Sequence, residues 1–143
     1  MKRLLLALAI CLFPIGSLAQ EARKIGDYVI VSTTILCDER SQLLSIVDAM
    51  KISFPDGLRE LKRQRNFKNP WGEPVCDIID HDNSIAVVLV DRGELVTDIY
   101  GPNGKKTDGL VVKAFYESAK AKGMVPGVFL STVEFMEGRS YAL

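Results

Sequence analysis

The sequence predicts an α+β domain: a mainly antiparallel sheet, two or three helices packed on one of its faces, and one disulfide. Three observations carry that prediction. Residues 28–35 are a run rich in β-branched side chains, which suits a strand. Leu43, Ile46, Val47 and Met50 fall at i, i+3, i+4 and i+7, the spacing of one helix face. A continuous apolar run at 85–90 and an alternating segment at 94–100 flank Asp91-Arg92-Gly93, which reads as the turn of a hairpin. Strands and helices do not alternate as they would in a parallel α/β fold.

The elements follow in order. Residues 1–19 have the three parts of a secretory signal: Lys2 and Arg3, an apolar stretch from Leu4 to Ile15, and Ser17-Leu18-Ala19 as the cleavage site. Its apolar run falls short of the roughly 20 residues a spanning helix needs. Cleavage before Gln20 is expected, then a flexible tail at 20–24 and one globular domain over 25–143. Removal of Lys2 and Arg3 leaves 16 basic against 18 acidic residues, a formal charge of −2. That balance gives no bias toward nucleic acid, and none is expected as a partner. No later apolar run has membrane-spanning length.

After the strand at 28–35, Asp38 reads as an N-cap, because its carboxylate can accept from free amides of a first helical turn. The helix runs over roughly 38–51. Ser53-Phe54-Pro55-Asp56-Gly57 then starts a second, shorter helix, since proline is tolerated in a first turn. Leu58 and Leu61 give it a narrow apolar stripe. Asn69-Pro70-Trp71-Gly72-Glu73-Pro74 reads as a loop. Residues 75–79 form a short strand, 80–83 a turn, and 85–100 the hairpin. Gly101-Pro102-Asn103-Gly104 is a further turn. Over 108–123, Leu110, Val111, Ala114, Phe115 and Ala119 fit a helical face, with Asp108 and Gly123 as caps, so a third helix is expected. A strand through 110–116 is the competing reading. A last strand is placed at 128–136.

Cys11 leaves with the signal, so Cys37 and Cys76 remain, an even count in a chain addressed to an oxidising compartment. They are not spaced as a redox C-x-x-C pair, and a structural disulfide is the expectation. Closing a loop of that length is worth about 4 kcal/mol in the chain-entropy model. Cys37 ahead of an amphipathic helix, with Cys76 ahead of hairpin strands, resembles the layout of small exported proteobacterial proteins of uncharacterised function. The likeness covers roughly residues 28–91. It implies a disulfide and a periplasmic address, and it carries over no catalytic residue.

Two segments offer chemistry. Asp77, Asp80, His81 and Asp82 bring together carboxylates that suit a hard cation and an imidazole that suits a ligand or general base. Turn chemistry explains the same residues, because Asp and Asn bond to nearby backbone amides. Arg59, Lys62, Arg63, Arg65 and Lys68 form a basic run on the second helix, and Trp71 follows it. They read as a patch for an anionic partner, or as a solvated helix face. No nucleophile elbow or phosphate loop is present, and no cofactor is implied. The expectation is an exported, periplasmic or secreted, non-enzymatic binding or accessory protein. Its partner would be an envelope protein or an anionic polymer or lipid surface. A small hydrolase or metal-dependent enzyme built on Asp77–Asp82 is the alternative.

Overall fold

The computed structural model describes residues 21–138. The signal reading, the cleavage site before Gln20 and the last five residues lie outside the described part. Among the described residues, seven strands and three α-helices follow one another: β1 (Tyr28–Val31), β2 (Thr34–Cys37), α1 (Arg40–Met50), α2 (Phe54–Arg65), β3 (Cys76–Ile79), β4 (Ile85–Leu89), β5 (Glu94–Tyr100), β6 (Lys106–Ser118), β7 (Gly123–Thr132) and α3 (Val133–Met136). A single 3₁₀ turn at His81–Asn83 separates β3 from β4. All strand pairs are antiparallel, in the order β1-β4-β6-β7-β2-β3, with β5 also on β6. Arg23, within the segment read as a tail at 20–24, touches α3. The Arg23 amide donates to the Met136 carbonyl at 2.7 Å, and its guanidinium stacks on the Phe135 ring.

The run expected as one strand is cut in two at Ser32-Thr33, and the cut shapes the whole sheet. β1 pairs with β4, whereas β2 pairs with β7 and β3. Four strand spacings therefore separate β1 from β2, roughly 19 Å in a flat sheet. From Val31 to Thr34 the chain makes three Cα steps and reaches at most ~11 Å. A flat sheet is excluded, and the sheet curls into a half-barrel. The corner is held from two sides. Thr33 takes a left-handed φ of 56°, and the buried Thr34 hydroxyl donates to the Leu130 carbonyl on β7.

Two further expectations are corrected. Residues 106–118 form the 13-residue strand β6, not a helix over 108–123. Period-2 alternation is hidden because both faces of β6 are covered at its middle. Val111 lies in one core cluster and Val112 and Ala114 in the other, so adjacent residues are apolar and imitate helical spacing. β4 and β5 do not pair with each other either. Both lie along the same edge of β6, with Leu89 opposite Ala114 and Glu94 opposite Val111. The Asp91-Arg92-Gly93 signal makes an outward bulge rather than a reversal: Asp91 Oδ1 accepts from the amides of Gly93 and Lys113, both at 3.0 Å. The hairpins are β5–β6, closed at 101–105, and β6–β7. β7 starts at Gly123 and ends at Thr132, where α3 replaces the tail of the expected 128–136 strand.

α1 buries the four residues its spacing predicts, Leu43, Ile46, Val47 and Met50. Its N-cap is Glu39 rather than Asp38; the Glu39 amide donates to Gln42 Oε1 at 2.9 Å. α2 is capped by Ser53, whose hydroxyl accepts from the Asp56 amide at 3.1 Å. The two helices meet where Gly57 faces Met50; a Cβ there would lie 2.4 Å from Met50 Cγ. With Leu61, Val96, Ile99, Val111, Val128 and Leu130 they form the outer core. The inner core, inside the curl, holds Val31, Val87, Leu89, Val112 and Phe129, and α3 adds Phe135 and Met136 to it. Two helices thus share one face, and the short third lies on the other. The Cys37–Cys76 disulfide joins facing residues of β2 and β3, Cα atoms 4.0 Å apart, within the outer core.

A β-branched residue at positive φ costs on the order of 1 kcal/mol, and asparagine tolerates that conformation better. Thr33 is exposed, so Thr33→Asn should stabilise the protein by roughly 0.5–1 kcal/mol. Urea unfolding checks this; a lowered midpoint would contradict the strained corner.

Candidate functional site

The basic run on α2 is largely paired off. Arg59 bonds Asp56, Arg63 Nη2 meets Glu60 Oε1 at 2.6 Å, and Arg65 Nε meets Asp77 Oδ1 at 3.2 Å. The Arg63 hydrogen bond holds the Glu60 carboxyl below its usual range. Asp77 arrives from β3, a carboxylate remote in sequence. Lys62 and Lys68 remain exposed without an ion pair among the described residues. Trp71 is half-buried, and its Nε1 is buried without a hydrogen-bond partner, so it packs into its loop instead of standing out beside the cations.

Asp77, Asp80, His81 and Asp82 do not converge. Asp80 is committed to local structure: its Oδ1 accepts from the amides of Asp82 and Asn83 at 3.1 and 3.0 Å. His81 and Asp82 are exposed in the same 3₁₀ turn. Asp77 faces Arg65. Among the described residues, no three His, Cys, Asp or Glu side chains are placed to hold a metal ion.

Carboxylates do converge elsewhere, at the open end of the half-barrel. β2 ends by delivering Asp38, whose amide donates to the Val75 carbonyl at 2.8 Å. Asn69 shapes the loop that brings Glu73; its Oδ1 accepts from the Glu73 amide at 2.8 Å. β6 adds Tyr116 and Glu117, and β3 adds Asp77, around a pocket of about 170 Å³. Burial pushes the Asp38 carboxyl up, partly offset by the neighbouring Asn69 side chain, and the Glu73 and Glu39 charges add to the rise. Asn69 Nδ2 is buried with no hydrogen-bond partner among the described residues. Tyr116 is pushed up to about 12, by burial first and then by the charges of Asp38 and Glu73. Sequence reading placed Asp38 in a helix cap and missed this cluster, because its members come from four separated segments.

Two apolar surfaces complete the inventory. A groove of about 270 Å³ runs between α2 and strands β2 and β3. The buried Met50 and Leu61 form its floor, Phe54, Leu58, Ile35 and Ile78 add apolar lining, and Thr33, Thr34, Asp80 and His81 are its polar members. The Leu58–Leu61 stripe was its sequence signal. The second surface is the part of the outer sheet face that α1 and α2 leave bare. Tyr28, Val88, Phe115 and Pro126 lie in one cross-strand row, with Ile30 and Ala86 paired beside it and Met124 next to Glu117. Tyr28 is 70% exposed, Ile30 57%, Met124 52% and Phe115 41%.

No helix among the described residues is long and apolar enough to cross a membrane. No family model matches the sequence, and no curated protein or solved structure matches it either.

The raised Asp38 pKa has a definite sign. Below the ordinary carboxylate value of 3.8 the group is protonated whether folded or unfolded and contributes nothing. As pH rises through the higher folded value, the native state resists ionisation and loses stability relative to the unfolded chain. Asp38→Asn should therefore gain stability over the parent between pH 3 and pH 7. Urea unfolding at both pH values measures it; a difference that does not change with pH would contradict the assignment.

Proposed function

We propose that this chain is an exported, non-enzymatic binding protein that receives an apolar peptide segment of an envelope partner in the groove between α2 and β2–β3. One observation carries the reading: apart from Thr33, Thr34, Asp80 and His81, the groove is lined by apolar side chains. Its volume is below the ~300–1,000 Å³ of sites that enclose a drug-sized ligand, and it suits a few apolar side chains presented from outside. The disulfide between Cys37 and Cys76 supports an oxidising compartment.

The basic helix plays a smaller part in this reading than its composition suggests. Three of its five cations already have carboxylate partners, so Lys62 and Lys68 alone supply free charge for an anionic surface. Exposed pairs of this kind contribute little, and salt screens them. An enzyme would draw on the Asp38–Tyr116 pocket rather than the Asp80–Asp82 turn.

N-phenyl-1-naphthylamine, whose fluorescence rises in apolar surroundings, tests the groove. The protein should bind it saturably, and Ile78→Lys should weaken binding at least tenfold. Ile78 is an exposed wall residue, 44% accessible, so the substitution spares the core. Met124→Lys, on the separate bare sheet face, should leave probe binding unchanged. Absence of saturable binding, or equal loss in both variants, would overturn the proposal.

A further inference from the structure

The bare sheet face has a charge pattern that specifies its occupant. Along β6, Lys113, Phe115 and Glu117 alternate with covered residues and all point outward. The same face on β1, β4 and β7 is uncharged: Tyr28 and Ile30, Ala86 and Val88, Met124 and Pro126. Lys113 and Glu117 are thus its only charged strand residues. Both are exposed, and neither makes an ion pair among the described residues.

They sit two residues either side of Phe115. A two-fold axis lying in the plane of the interface, perpendicular to β6 and above Phe115, carries position 113 over position 117. A second copy laid on that axis brings Lys113 of each chain against Glu117 of the other. That is the self-complementarity an isologous interface requires. The exposed parts of Tyr28, Ile30, Phe115 and Met124 amount to on the order of 450 Å² of mainly apolar surface, a large patch for a monomer of this size. With Lys113, Glu117 and the intervening strand residues the face reaches roughly 700 Å², near the ~800 Å² per partner of a standard interface.

We infer that this face is a self-docking surface: two copies stack their β1–β4–β6–β7 faces about the Phe115 axis, with two reciprocal Lys113–Glu117 pairs. Phe115 and its two-fold mate form the centre, where truncation costs most, and the charges set orientation. The groove beside α2 is not part of this face, so the inference stands apart from the function proposed above.

Sedimentation equilibrium of the exported, disulfide-bonded protein from 1 to 500 µM tests it. A monomer–dimer equilibrium is expected. Lys113→Glu places four carboxylates at the interface and should weaken dimerisation at least tenfold, and Glu117→Lys should do the same with four ammonium groups. The double variant Lys113→Glu/Glu117→Lys restores the pairing with reversed sense and should return to within about threefold of the parent. A monomer at all concentrations would overturn the inference. So would a dimer indifferent to both single charge reversals, or a double variant as weak as the singles. Phe115→Asp supplies a second readout and should leave a monomer at every concentration.

Discussion

Two residues, Ser32 and Thr33, carry the chain from one side of the sheet to the other, and the architecture depends on that short reach. β1 and β2 run in the same direction and would be one strand but for the change of partner between them. A flat sheet would hold them roughly 19 Å apart. The link cannot span that distance, so β4, β6 and β7 must wrap round to meet it. β6 makes the wrap possible. It is long enough to serve β5 with its first half, β4 with its second and β7 along most of its length. The bulge at 90–93 lets β4 and β5 follow the curve as successive segments on one edge.

Curling divides the apolar residues into two cores that cannot be shared. The inner one is small and takes a small plug, the four-residue α3 with Phe135 set edge-on to Phe129. The outer one needs the larger surface of α1 and α2. These helices are fixed near β2 and β3 by the disulfide below them and near β5 by the Arg40–Glu94 ion pair, with bonds of 2.7 and 2.6 Å. Helices anchored there cannot also cover the β1 and β4 side. The bare face, the groove beside α2 and the acidic pocket at the open end are consequences of that placement.

Much of the local structure was legible in the residues. The 43-46-47-50 spacing located α1 and its buried face, Pro55 marked the first turn of α2, and Cys37 and Cys76 do pair. What was hidden has a common cause. Residues covered on both faces lose period-2 alternation, which is why the middle of β6 resembled a helix. Local turn chemistry at Asp91-Arg92-Gly93 does not distinguish a bulge from a reversal, because both need an Asx bond and a glycine at positive φ, here 97°. The Asp38–Glu73–Tyr116 group and the Asp77–Arg65 pair depend on strand neighbours far apart in sequence. No local pattern encodes them. The basic run on α2 misled for the same reason, since the carboxylate that pairs with Arg65 belongs to β3.

The half-barrel rests on one chain segment having two sets of partners, and cross-strand proton NOEs in solution test that directly. Contacts from Val29 to Val87 and from Leu36 to Phe129 are expected in the same spectrum of the oxidised protein, with a break in pairing at Ser32 and Thr33. Residues 28–37 found against a single neighbouring strand throughout would contradict the curl, and with it the placement of every surface described above.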